Sequence, residues 1–224
     1  MKKLNMILKH KFVFPLVVFV IMYAITVPFI LLSKPYLIPD VSSIIHKVVI
    51  SIVFLLLILK YIKNSKALFK MPKPSGRIVT LCFLLFSLFA INNYFLSNYS
   101  IDYSYLDLET TTLALSILAI TISSTAEEIM YRGFIQSYTN QSLPSNTKTL
   151  SQGNLYATFF FFLGHVGFYT VMDPLFATTG LLLATIFSLS AGYIRDKTGS
   201  LIWPIIIHIL CNYIHLALHF QHFS

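Results

Sequence analysis

Seven apolar stretches divide this chain, at about 12–32, 44–62, 78–96, 112–136, 155–172, 175–194 and 200–219. Each approaches the roughly 20 residues that a helix rising about 1.5 Å per residue needs to cross about 30 Å of hydrocarbon. In that solvent every backbone N–H and C=O must find its partner within the segment, and a helix satisfies this residue by residue. Of 224 residues, 56% are hydrophobic and only 11% charged, far below the roughly one-quarter charge of a water-soluble domain. The expected fold is an all-α, polytopic integral membrane helix bundle of about seven transmembrane helices. Pro, Asn, Ser and charge mark the turns, as in Ser33–Asp40, Met71–Gly76 and Gln141–Asn146. No repeat or low-complexity tract intervenes. Residues 1–100 supply about three spans and 101–224 about four, read as one structural unit.

The net charge is +8, but its placement argues against nucleic acid. Basic residues gather between apolar stretches, at Lys2, Lys3, Lys9 and Lys11, from Lys60 to Arg77, at Lys148, and at Arg195 and Lys197. Asp40, Asp102, Asp107, Glu109 and Asp173 fall in the alternate loops, near only Lys34 and Lys47. The positive-inside rule then puts the N-terminus in the cytoplasm and favours contact with anionic membrane lipids. The first apolar stretch outruns the 7–15 residues of a signal-peptide core and lacks a small-x-small cleavage site, so it reads as an uncleaved span. Cys82 and Cys211 lie inside apolar runs without metal-binding spacing and read as packing residues.

Ionisable groups at bilayer depth cost several kcal/mol, roughly 2.5–3.5 on insertion scales, and mark function unless paired. Glu127 and Glu128 lie in the fourth stretch, His165 in the fifth, and His208 with Asn212 in the seventh. Counted from the expected span ends, all sit roughly 12–15 Å below the cytoplasmic surface at about 1.5 Å per residue. Glu128 and Arg132 stand i,i+4 and can pair on one face, leaving Glu127 pointing elsewhere. His208 and Asn212 share the same spacing and can converge on one point.

A carboxylate beside an imidazole can take a proton from water and deliver hydroxide to a carbonyl. A second His and an amide suit the developing oxyanion. The set Glu127, His165, His208 and Asn212 therefore reads as an amide hydrolase open toward the cytoplasm, with Glu128 and Arg132 supporting it. No cofactor is expected, although Glu127, His165 and His208 could alternatively ligate Zn²⁺ as a two-His, one-carboxylate site. Ser123 and Ser124 read as helix-packing hydroxyls. His215, His219 and His222 form a separate polar stripe toward the outer surface.

These residues resemble the CAAX prenyl protease and bacteriocin-processing (CPBP, or Abi) family of intramembrane proteases. EExxxR reads here as Glu127-Glu128-Ile-Met-Tyr-Arg132, followed by Gly133. FxxxH reads as Phe161-Phe-Leu-Gly-His165, and HxxxN as His208-Ile-Leu-Cys-Asn212. The approach to the last motif, from Gly192 through Thr198-Gly199-Ser200-Leu201 to Pro204, is also similar. The resemblance covers roughly 112–215. It implies a glutamate-dependent intramembrane endopeptidase with Glu127 as base, His165 as its partner, and His208 and Asn212 as oxyanion donors. It further implies a membrane-associated peptide or small protein as substrate: a bacteriocin, a pheromone precursor or a lipidated tail. A self-immunity protein that binds peptide without proteolysis is the alternative. The Lys, Asn, Ile and Phe richness suggests a bacterial cytoplasmic membrane.

Overall fold

The structure is a computed structural model. It describes residues 2–33, 39–96, 113–142, 150–170 and 172–220, without the side chains at 2–11, 30–33, 39–40, 96, 142, 215 and 218–220. The loop charges Asp102, Asp107, Glu109 and Lys148, and the side chains of His215, His219 and His222, lie outside the described residues.

The architecture is a helical bundle: α1 (Lys2–Ser33), α2 (Pro39–Tyr61), α3 (Gly76–Leu96), α4 (Leu113–Glu128), α5 (Ser137–Ser142), α6 (Gln152–His165), α7 (Pro174–Thr198) and α8 (Ile202–Phe220). A π-helical segment, Ile129–Gln136, joins α4 to α5. Local chemistry sets several boundaries. The Ser151 side chain accepts the Asn154 N–H to cap α6, and Asp173 accepts the Leu175 N–H to cap α7. Gly199 closes α7 at φ 67, a left-handed conformation that favours glycine.

Five helices are long and apolar enough to cross a membrane, Leu113–Gln141 counting as one. That count covers the described residues, and the expected seven spans correspond to α1, α2, α3, the α4–α5 rod, α6 with the turn after it, α7 and α8. The stretch 155–172 stays α-helical only to His165 and then tightens into a 3-10 turn, Val166–Thr170. Hydropathy does not register the break after His165, because Val166–Thr170 is as apolar as what precedes it.

Side-chain contacts fix the helix directions. Lys47, Phe54 and Tyr61 of α2 meet Glu127, Phe134 and Tyr138 in the same order, so α2 and the α4–α5 rod are parallel. Phe14 of α1 lies beside Tyr61 and Tyr138, whereas Tyr23 lies beside Tyr131, so α1 runs the opposite way. Asn154 and Thr158 of α6 bond to Leu189 and Ser188 of α7 in antiparallel order. Gly192 permits that approach: a Cβ there would collide with the Asn154 carboxamide.

The bundle consequently has two unlike ends. At one, α2, α5 and α7 finish while α1, α3, α6 and α8 begin. Lys60, Lys63, Lys66, Lys70, Lys73, Arg77, Arg195 and Lys197 collect there, and we call it the basic end. It is also laced shut: Ser200 Oγ donates to the Lys70 carbonyl at 2.6 Å, the Leu201 N–H to Leu68 at 2.7 Å, and Trp203 Nε1 to Pro72 at 3.0 Å. The other, far end is where α2, α4 and α7 begin. Large apolar side chains such as Ile25, Leu56, Phe83 and Leu182 face outward, as lipid requires. Phe54, Phe134, Phe160, Phe161 and Phe187 fill the core between the helices.

Candidate active site

Two carboxylates enter the bundle interior from consecutive residues of α4, and each meets its own cation. Glu128 is fully buried and lies 3.1 Å from Arg132 Nη1. The guanidinium stacks over Phe161, 4.8 Å from the ring centre, and over Phe187 at 5.7 Å, while Nη2 donates to the Ser188 carbonyl at 3.1 Å. Glu127 instead takes Lys47 Nζ of α2 at 2.7 Å on Oε1, with the Ser123 hydroxyl donating to the same oxygen at 3.3 Å. Two negative charges at membrane depth are thereby offset by two positive ones, which makes their burial tolerable.

The second oxygen of Glu127 faces the histidines. Oε2 lies 3.9 Å from His165 Nε2 and 3.9 Å from His208 Nε2. Each ring is held from behind. His165 Nδ1 donates to the Phe161 carbonyl at 2.7 Å, and its ring stacks on Phe161 with centroids 4.1 Å apart. His208 Nδ1 donates to Glu128 Oε1 at 2.8 Å. Glu128 is thus shared between Arg132 and His208. One turn beyond His208, Asn212 Nδ2 donates to Ser124 Oγ at 3.0 Å.

These groups line the floor of a cavity of about 450 Å³. From Glu127 and His208 the cavity runs past Ile120, Phe89 and Phe176 to Ser43 and Asn92, all toward the far end. Behind the floor, Arg132, Phe134 and Gln136 fill the interior. The cavity therefore extends away from the basic end, not toward it as the sequence led us to expect. The expected depths came from approximate span ends, and α6 in fact carries His165 as its last residue.

Residues 109–214, just under half of the chain, match the family model described as Rce1-like: Type II CAAX prenyl endopeptidase Rce1-like. That segment is similar to the type II CAAX prenyl endopeptidases. No curated protein and no solved structure matches it. This CAAX-type protease is a membrane-embedded peptide hydrolase, and the matched segment contains Glu127, Glu128, Arg132, His165, His208 and Asn212.

The structure brings Glu127, His165, His208 and Asn212 to one cavity, and buries Glu128 and Arg132 behind them. Two further neighbours join them in roles other than those expected. Ser123 is a hydrogen-bond donor to Glu127 and not only a packing hydroxyl. Lys47 is a direct partner of the carboxylate and not an outer-loop charge. A cation inside an apolar stretch was the available signal for Lys47. Cys211 lines the cavity, and Cys211 and Cys82 are both free.

Zinc ligands lie about 2.0–2.2 Å from the metal and hence about 3.4 Å from one another. The nitrogens here stand 3.9 Å from Glu127 Oε2, and an ammonium already occupies the other oxygen. Among the described residues, no group of three His, Cys, Asp or Glu side chains is placed to hold a metal ion.

Proposed function

We propose that the chain is an intramembrane endopeptidase of a bacterial cytoplasmic membrane in which Glu127 activates water against a peptide carbonyl. The supporting observation is the cradle formed by Glu127 Oε2 and the two ring nitrogens, each 3.9 Å away and each from a different helix. His165 gives its Nδ1–H to Phe161, so its neutral ring presents a lone pair at Nε2. Carboxylate and lone pair face each other as two acceptors. A water spans such a gap by donating one hydrogen to each, and its own lone pair is left aimed at the substrate.

Attack forms the new C–O bond while the water proton passes to Glu127. The carbonyl π electrons move to oxygen, beside His208 Nε2 and the Asn212 amide. The second Nδ2 hydrogen of Asn212 remains available after the bond to Ser124. Glu128 fixes the His208 ring from behind, so that Nε2 faces the same space. Collapse breaks the C–N bond, and the departing amine takes the proton held by Glu127. Glu128 and Arg132 act as positioning residues.

Glu127→Gln tests this reading, since it keeps shape and hydrogen bonding but removes the base. Comparative peptidomics of cells, and mass spectrometry of purified protein with the peptide so found, should show cleavage falling at least about 100-fold. Wild-type cleavage by Glu127→Gln would refute it. Undiminished biological protection without cleavage would favour a binding or immunity protein.

A further inference from the structure

We infer that the substrate reaches Glu127 from the extracytoplasmic side, so that it is an exported or outer-facing apolar peptide segment and not a cytoplasmic lipidated tail. This inference rests on the protease reading above. Two independent features carry it. The first is the course of the cavity, which runs from Glu127 and His208 to Ser43 near the start of α2 and Asn92 near the end of α3. The second is charge. Eight of the described cations, Lys60, Lys63, Lys66, Lys70, Lys73, Arg77, Arg195 and Lys197, stand at the opposite end, where the chain begins α1 and leaves α7, while Lys47 and Arg132 are paired with Glu127 and Glu128. Such a segregation of Lys and Arg marks the cytoplasmic face.

The lining of the cavity fits the inferred ligand. Its walls are aromatic and aliphatic, from Phe89, Phe168, Phe176 and Leu183, while Ser43 and Asn92 supply polar groups toward the mouth. An extended apolar peptide could enter side chains first and leave its polar flank among these groups. Below the floor, Arg132 and the hydrogen bonds of Gln136 to Gly192 and Asp196 close the way to the basic end. The lacing of Ser200 and Leu201 to the α2–α3 connection closes it further.

Thiol accessibility decides the matter without relying on activity. Asn92→Cys, Ser43→Cys and Lys66→Cys are each placed in the full chain carrying Cys82→Ser and Cys211→Ala. Intact cells and inverted membrane vesicles are treated with a membrane-impermeant sulfonated maleimide, and modification is read by mass. Asn92→Cys and Ser43→Cys should be modified in intact cells, and Lys66→Cys only in inverted vesicles. Modification of the two cavity positions in inverted vesicles alone, or in neither preparation, would overturn the inference, as would labelling of Lys66→Cys in intact cells. The catalytic reading fails separately, through Glu127→Gln that still cleaves while the labelling pattern is as expected.

Discussion

At the scale of single residues, the site is a matter of how carboxylate oxygens are shared. Glu127 gives one oxygen to Lys47 and presents the other to two imidazoles. Replacing Lys47 with Met should lower kcat at least tenfold, about 1.4 kcal/mol in the barrier, because the carboxylate loses the group that aims it. Lys47→Arg should recover part of that loss. Turnover in nanodiscs, with thermal unfolding as a control for folding, separates this effect from instability. Glu128→Gln has a different expected signature. It leaves the caged Arg132 without its counter-ion, and breaking such a buried pair costs about 3–5 kcal/mol. Thermal unfolding in detergent should show a large drop that Glu128→Gln with Arg132→Met partly restores. Because Glu128 also holds His208, neither variant should regain full turnover. The Glu128–Arg132 pairing was legible from i,i+4 spacing alone. The Glu128–His208 bond was not, since residues 80 positions apart meet only through the packing of α4 on α8.

At the scale of elements, the bundle depends on places where helices come closer than ordinary side chains allow. Gly192 lets the Asn154 carboxamide lie against the α7 backbone, and the same glycine offers its carbonyl to Gln136 at 2.9 Å. Gly192→Val should push α6 from α7, lower the thermal midpoint, and reduce activity by displacing His165 at the end of α6. Asn154→Ala together with Gly192→Ala should be milder than either change predicts alone, because the collision is then absent; unfolding curves of the set check this. The π-helical segment after Glu128 belongs to the same scale. Wider turns there carry the Arg132 carbonyl to the Ser137 hydroxyl, an i,i+5 bond of 2.8 Å. Such segments cluster at functional sites. Apolar periodicity could locate the rod from 113 to 142 but not its local winding, which depends on hydrogen-bond register. The shortness of α6 is hidden in the sequence for a related reason: Phe168 and Tyr169 are hydrophobic whether the backbone winds as α-helix or as 3-10 turn.

For the molecule as a whole, membrane residence was readable from composition and segment length. The meeting of Glu127, His165, His208 and Asn212 could be anticipated from motif spacing, because each lies in an apolar run at comparable depth. The direction of the cavity could not. It depends on which half of each helix packs tightly and which half parts, and aromatic residues occupy both halves. The floor lies inside: along α4 the cavity lining runs from Ala119 to Glu127, eight residues or about 12 Å of helix. A strand advances about 3.3 Å per residue, so roughly four extended residues fill that depth. The enzyme should then behave as a ruler, cutting at a set distance from the point where the peptide becomes polar, with little regard for the residues at the cut. Lengthening a substrate's apolar stretch by one residue should shift the new terminus by one.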